Sequence, residues 1–511
     1  MPAPPLSTDS ETLIKANPQL LPFNDVNSGN LASLYPAIKL ILQNADFIAI
    51  DTEFSGLGGG SYDTKAPNLD QRYKGLVQLA KDHALVALGL TAFSKKKNAS
   101  QEEDNAQQWI AHNFNILLKP MREYRVDPRS LQFLSESGFD FNRQIRDGVQ
   151  YMPGDWPRVD QKSAGLVEKE NQENASMQFG RAKSTERTPA YTKPSHEASL
   201  IRSLVRHISR LSIPIITHNG FLDLIFIYDA FFASPPEKLQ TFVADLTDIF
   251  PGGIYDTKYV AEYMSREGAT FLSYLYRKYE RQQARLTLND KQRFDIEVKS
   301  PFNFNKDRAK KISNDGGEGN DSTQDSRSKS KRRKTESSSR PYCSHFATHG
   351  HCKYNKKCGK SHDLDLILDE EEKEEAQKKR KTDSMSESQL STQETLNEHP
   401  QMHPTPSTIV QPVALDAAPP TLFPSTDSVP TLPRAPVPSA QSYHSAHFDS
   451  YMTGYIFLHQ SLKLFSVDEM TTEARNRIYL MGKDIPLRLQ KSMYTTISKN
   501  WAQAKQDMGI L

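Results

Sequence analysis

Asp51 and Glu53 close an apolar run, Phe47-Ile-Ala-Ile50, and stand two residues apart. Side chains two apart on a strand share a face, so these carboxylates point the same way. Two carboxylates side by side on a half-buried surface repel each other and lose hydration, and a bound cation relieves both costs. Asp-x-Glu alone is a common tripeptide, for which a solvated strand end accounts about as well. Asp223 falls in the first turn of a helix entered through His218-Asn219-Gly220, where Asn219 is placed to cap it. An acid there has an ordinary reason, since it offsets the helix dipole. Asp256 in Tyr255-Asp-Thr-Lys258 likewise reads as a helix cap and not as a ligand. His444 precedes Asp449 by five residues at the start of the last amphipathic helix. Taken singly, each of these is unremarkable. A strand-end pair, a helix-start acid and a His followed by an Asp, all in one α/β body, together read as one metal site.

A second group is made of softer ligands. Cys343, Cys352, Cys358 and His362 are separated by eight, five and three residues, and these are all the cysteines of the 511-residue chain. An odd number of thiols within one short stretch leaves no disulfide framework and points to a metal. Tyr342, Phe346, Lys353, Tyr354, Lys356 and Lys357 interleave with the ligands and offer stacking faces and phosphate contacts. A purely structural zinc, binding no RNA, fits the same spacing.

The elements that position these groups follow from pattern. Strands are expected over 45–54, 83–93 and 213–217, and helices over 129–138, 199–211 and 221–232. A strand-to-helix unit runs from Ile254 to about Met264. Residues 155–195 are polar and turn-rich and read as an insertion. Hydrophobic residues are only 37% and prolines number 31, so much of the chain is expected to stay outside any core. Residues 1–24 read as a disordered N-terminus, 306–340 as a basic disordered linker, 341–364 as the Cys/His module, 365–382 as a charged helix and 383–439 as a Pro/Ser/Thr-rich linker. The ordered body is then 25–305 and 440–505. The run Asp369-Glu-Glu-Glu-Lys-Glu-Glu is most simply a solvated helix. A net charge of +2 excludes a uniformly basic coat and directs attention to local patches. Lys329, Lys331, Arg332, Arg333 and Lys334 form one such block, and Lys378-Lys-Arg-Lys381 another. Blocks of this kind outside a core read as nuclear import signals or phosphate-binding patches. No apolar run approaches about 18 residues and the N-terminus lacks a basic and apolar leader, so a soluble, non-secreted protein with no membrane partner is expected.

The segments Asp51-Thr-Glu53-Phe54-Ser55-Gly56, Arg72-Tyr73, His218-Asn-Gly-Phe-Leu-Asp223, Tyr255-Asp-Thr-Lys258 and His444-Ser-Ala-His-Phe-Asp449 with Thr453-Gly454 resemble the DEDD-type deadenylases, the poly(A)-specific ribonuclease group. The resemblance implies an α/β, ribonuclease H-like exonuclease fold, a mixed central sheet flanked by helices. It also implies that Asp51, Glu53, Asp223 and Asp449 are magnesium carboxylates and His444 the general base. His447 does not match the family's spacing to Asp449 and is left out. Two magnesium ions about 4 Å apart would clamp the terminal phosphodiester, releasing nucleoside 5′-monophosphates from a 3′ end. Phe54 and Leu57 are candidates to pack on the last bases, with core packing an equal alternative. The Cys/His spacing resembles the CCCH zinc fingers, which implies one tetrahedral zinc and single-stranded RNA, with Tyr342, Phe346 and Tyr354 as contacts. A deadenylase with such a finger and an adjacent basic block is similar to the nuclear members of the group. That similarity implies poly(A) tails and small nuclear RNA 3′ ends as substrates, and nuclear-body ribonucleoproteins as neighbours in Cajal bodies or speckles. An RNA-binding regulator with a silent nuclease body, and a DNA exonuclease of the same chemistry, remain open at this point.

Overall fold

A computed structural model of the chain describes residues 22–57, 60–96, 106–154, 195–289, 291–299, 340–354, 357–394, 445–464 and 473–508. His444, the block from Lys329 to Lys334 and nearly all of the 155–195 insertion lie outside the described residues, as do most of the expected disordered tracts.

Strands β1 (Asn24–Val26), β2 (Phe47–Phe54), β3 (Leu85–Lys95), β4 (Ala106–Pro120), β5 (Val149–Tyr151), β6 (Ile215–Thr217), β7 (Ile254–Asp256), β8 (Arg293–Lys299), β9 (Arg477–Ile478) and β10 (Leu487–Arg488) join in one sheet. Its centre has the order β4-β3-β2-β6-β7. β2, β3 and β4 are antiparallel neighbours, whereas β6 and β7 run parallel to β2, so the sheet is mixed. The far edge of the long β4 is covered in tandem by β8, β1 and β5.

The helices are α1 (Leu31–Gln43), α2 (Leu69–Asp82), α3 (Pro128–Glu136), α4 (Phe141–Asp147), α5 (His196–Ile208), α6 (Phe221–Ile227), α7 (Leu239–Ile249), α8 (Leu272–Leu288), α9 (Ser344–His349), α10 (Leu364–Glu394), α11 (Ala446–Leu464) and α12 (Lys499–Met508). Local chemistry sets several starts. Asn68, Asp127 and Ser195 each accept a backbone N–H from the first turn of the helix that follows, and Pro128 opens α3 without needing a partner for its nitrogen. Asn219 does not cap α6 as expected: it adopts a left-handed conformation (φ 60°), which Asn tolerates, and Gly220 precedes the helix instead. The expected 221–232 helix is α6 closed by one wider turn, with Ala233 N–H donating to the Tyr228 carbonyl at 3.1 Å.

Alternation along β2 divides the core. Ile48 and Ile50 enter one apolar cluster with α1, α5, α6 and α7, while Phe47 and Ala49 enter a second with α8 and α11. The Cys/His module belongs to this second cluster: Tyr342, Ala347, Leu364, Ile367 and Leu368 pack with Tyr274 and Leu275. The charged helix is longer than the 365–382 expected, and its acids are not simply solvated. Arg277, Arg281 and Arg285 on one face of α8 meet Asp365, Asp369 and Glu372 on one face of α10. No helix among the described residues is long and apolar enough to cross a membrane.

A candidate metal centre at the end of the central strand

Asp51 and Glu53 share the face of β2 that carries Phe47 and Ala49, the face against which α11 packs through Phe448 and Met452. That geometry delivers Asp449, in the first turn of α11, to the strand end. Carboxylate oxygens of Asp51, Glu53 and Asp449 lie within 4.8 Å of one another. The helix reaches this position because Gly89 pairs with Asp51 across the β2–β3 ladder. A methyl group there would meet the carbonyl oxygen of Ala446 at 1.9 Å. A hydroxyl seam beside it, Thr91 Oγ1 to Ser450 Oγ at 2.8 Å, fixes the helix on the sheet.

Asp223 approaches from the other side. Thr52 points to the opposite face of β2, toward α6, and its hydroxyl donates a hydrogen bond to Asp223 Oδ1. Asp223 therefore stands beside the trio rather than within it, yet close enough for its charge to act on Asp51 and Glu53. The loop that leads into its helix is pinned by Asp256. Asp256 caps the short helical turn Thr257–Tyr259 through Lys258 N–H, as read from the sequence, and also accepts Asn219 N–H at 2.9 Å and Tyr479 N–H at 3.0 Å.

Electrostatics follow from this crowding. Burial, reinforced by the charges of Asp449, Asp223 and Glu53, pushes Asp51 well above the usual carboxylate range. Burial and Asp223 push Glu53 up to about 8. Burial raises Asp223 to about 6 against the opposing hydrogen bond from Thr52, and Asp449 is raised by burial and by Glu53. Asp449 Oδ1 is buried with no hydrogen-bond partner. A crowded carboxylate trio with one orphaned oxygen suits a hard divalent cation. His447, one residue before Phe448, is buried, stacks on Phe23 at 3.9 Å, and is depressed by burial to about 3.

Cys343, Cys352, Cys358 and His362 place three sulfurs and one imidazole nitrogen within 4.8 Å of one another. The backbone N–H of Phe346 holds the Cys343 thiol below its usual range. His362 stacks on Phe346 at 4.5 Å and leaves its buried Nε2 without a partner. Three thiols and an orphaned imidazole nitrogen suit tetrahedral zinc.

The aromatic candidates separate by exposure. Tyr342, expected to offer a stacking face, is turned into the core. Phe346 is half-buried, its ring stacked on His362 and edge-on to Phe271. Phe54 is half-buried with its ring 4.2 Å from Phe226. Leu57 and Tyr354 remain exposed, the latter with Lys353 Nζ 4.8 Å over its ring. Gly89, Thr52 and Thr91 escaped the sequence reading. The one signal for Gly89 was a glycine interrupting the apolar run Ala84 to Leu90, which marks a close backbone approach.

Three antiparallel strands continued by two parallel ones, with acids at the end of the first, define the ribonuclease H-like exonuclease architecture. The profile of the CAF1 family ribonucleases matches residues 26–457, and the chain belongs to that family. Poly(A)-specific ribonuclease PARN of Bos taurus is 30% identical over 195 residues, 36% of this chain and 28% of the relative. PARN of Homo sapiens is 32% identical over 135 residues, 24% of this chain and 19% of the relative. Poly(A)-specific ribonuclease PNLDC1 of Mus musculus is 26% identical over 138 residues, 25% of each chain. The chain thus spans about a quarter of the length of these curated relatives. Among solved structures, S. pombe Pop2p in its Mg2+- and Mn2+-bound form is 16% identical, with a TM-score of 0.34 over 51% of this chain and 82% of that one.

Proposed function

We propose that the chain is a magnesium-dependent 3′-to-5′ exoribonuclease of the deadenylase type, removing adenosine tails and releasing nucleoside 5′-monophosphates. The observation that carries this reading is the convergence of Asp51, Glu53 and Asp449 at the end of β2, with an unpartnered Asp449 oxygen, in a CAF1-family chain. The names of the relatives, poly(A)-specific ribonucleases, support adenosine as the preferred base.

In this reading Asp51, Glu53, Asp223 and Asp449 hold two magnesium ions. When bound, the ions activate a water and stabilise the leaving 3′-oxygen. Thr52 fixes the Asp223 carboxylate, and Asp256 fixes the loop before it. His444 takes the proton of the attacking water, a role that suits an imidazole near neutral pH. Leu57 and Tyr354 offer exposed surfaces to unstacked bases. The Cys343, Cys352, Cys358 and His362 cluster holds zinc as a CCCH finger and assists RNA capture. The block Lys329 to Lys334 directs the protein to the nucleus and its Cajal bodies or speckles, where 3′ ends of small nuclear RNAs are substrates. In this combination the chain resembles the nuclear zinc-finger deadenylase called target of early growth response protein.

The test is a time course on 5′-labelled single-stranded RNA with a 3′ oligoadenylate tail, in magnesium, beside matched DNA and the Asp51→Ala variant. A ladder shortening from the 3′ end of the RNA, absent from the variant, is expected. Intact RNA with retarded migration on a native gel would make the protein an RNA-binding module instead, and equal degradation of DNA would make it a general exonuclease.

A further inference from the structure

The helical turn Thr257–Tyr259 touches both flanks of the carboxylate centre. Thr257 Oγ1 donates to the carbonyl oxygen of Thr217 at 3.1 Å. Its one proton is thereby spent, so it accepts from His218 Nδ1 at 2.9 Å, in the loop that leads into the helix of Asp223. On the other flank the Thr257 carbonyl accepts Gln460 Nε2 at 3.0 Å from α11, the helix that carries Asp449. Thr217, Thr257 and Gln460 are buried, so a shift of the turn passes to its neighbours instead of being absorbed by solvent.

From outside, the turn is held by the segment just before α8. Lys258 Nζ donates to the carbonyl oxygen of Thr270 at 3.0 Å and to its hydroxyl at 2.9 Å, and that hydroxyl donates on to Glu262 at 2.8 Å. Phe271, the next residue, faces the Cys/His module. Its ring is edge-on to Phe346 at 5.9 Å and lies 5.5 Å from Tyr274. Gly350, left-handed at φ 73°, ends α9 against the same ring, where a methyl group would come within 2.7 Å. Phe346 in turn stacks on the ligand His362 at 4.5 Å, and its backbone N–H faces the Cys343 thiol.

We propose that Phe271 is a positioning residue through which the metal-loaded Cys/His module holds the Thr257–Tyr259 turn, and with it the approach of Asp223 and Asp449 to the strand pair. The contacts run from His362 through Phe346, Phe271, Thr270 and Lys258 to Thr257. The six residues of α9 are too few to stand as a helix alone, so the module keeps its shape through its metal and its packing. Without the metal Phe346 loses its fixed seat, and Phe271 loses the ring it rests on. Coupling of this kind is reciprocal, so each metal tightens the other. The inference rests on reading the two clusters as zinc and magnesium sites.

The experiment uses the full chain with zinc content measured after desalting. Magnesium affinity is read from the magnesium dependence of thermal unfolding, and hydrogen exchange is compared at 215–223, at 254–260 and in β3 without added magnesium. Phe271→Ala, and separately a Cys352→Ser/Cys358→Ser double variant that empties the cluster, each weaken magnesium about fivefold or more. Both speed exchange at 215–223 and 254–260 more than in β3. Phe271→Leu, which keeps an apolar side chain against Phe346, loses less, and Lys360→Ala, exposed on the module, changes neither readout. Saturating magnesium slows zinc loss to a competing chelator in wild type. Unchanged magnesium affinity in Phe271→Ala overturns the proposal, as do a wild type that holds no zinc and exchange that quickens equally in β3, which would leave Phe271 a fold-stabilising role only. A wild type that magnesium does not stabilise removes the nuclease reading instead, and the exchange comparison then decides the proposal alone.

Discussion

Gly89 lies under the first residue of α11, where a methyl group would come within 1.9 Å of the carbonyl oxygen of Ala446. Gly89 also faces Asp51 across the ladder, so the backbone contact that seats the helix is the contact that seats Asp449 beside the strand pair. Gly89→Ala is expected to lift the start of α11, with a stability loss of roughly 1–3 kcal/mol from overpacking. Magnesium affinity should fall at least about tenfold if Asp449 is a ligand as proposed, since its carboxylate has moved. Urea unfolding and a magnesium titration of thermal stability check both. A variant with wild-type magnesium dependence would mean that Asp449 is not positioned by this contact.

The carboxylate cluster costs stability when no cation is bound. Glu53 is held near 8 against an ordinary 4.5, and Asp223 near 6 against 3.8. Folded pKa values above the unfolded ones mean that the folded chain keeps protons the unfolded chain has released. Stability in EDTA should therefore fall as pH rises from about 4 to 8. Magnesium, if it binds the ionised groups as proposed, should reverse this slope. Asp51→Asn should raise stability in EDTA at pH 8 by about 1–3 kcal/mol, abolish stabilisation by magnesium and remove RNA hydrolysis. Thermal unfolding at pH 5 and pH 8, with and without magnesium, separates these outcomes.

Much of this was legible in the chain because the signals are local. Asp51 and Glu53 announce themselves by strand alternation, Asp223 and Asp256 by their place at helix starts, and the thiols by spacing. What could not be read is non-local. Which carboxylates converge most closely depends on α11 lying on the Ala49 face and α6 on the Ile50 face, which no spacing records. The docking of the Cys/His module against α8 was hidden because Tyr342 and Phe346 look alike as stacking faces or as core. Strands β1, β4, β5 and β8 to β10 went unread: β1, β5, β9 and β10 are two or three residues long, β4 mixes Gln, His and Asn among its apolar residues, and β8 alternates cleanly but is half-exposed and lies next to the polar tract that begins near residue 305.

Asp256 joins three segments that are far apart in sequence, through Asn219, Lys258 and Tyr479. It is fully buried, and only an acceptor satisfies all three N–H groups. Asp256→Asn must turn an NH2 group toward at least one of them. A loss of roughly 2–4 kcal/mol in stability is expected. Because the Asn219 loop enters the helix of Asp223, the magnesium concentration for half-maximal activity should rise while RNA affinity stays unchanged. Proportional loss of both would reduce Asp256 to a fold-stabilising role.

Arg277 donates to Asp365 through Nε at 2.8 Å and Nη2 at 3.0 Å, a paired geometry with both side chains largely out of solvent. Arg281 supports the same carboxylate at 3.4 Å. Removing one partner leaves a buried charge, whereas removing both with apolar groups of similar size need not cost anything. Arg277→Met alone should destabilise by about 3 kcal/mol, and Arg277→Met with Asp365→Leu should recover most of that loss. The strain of the single variant should appear as faster hydrogen exchange in 340–350 and 364–372, because the Cys/His module and the start of α10 share the core that α8 provides. If exchange there is unchanged while the rest of the protein loosens, the ladder serves the nuclease body and the module is held by its apolar contacts and its metal alone.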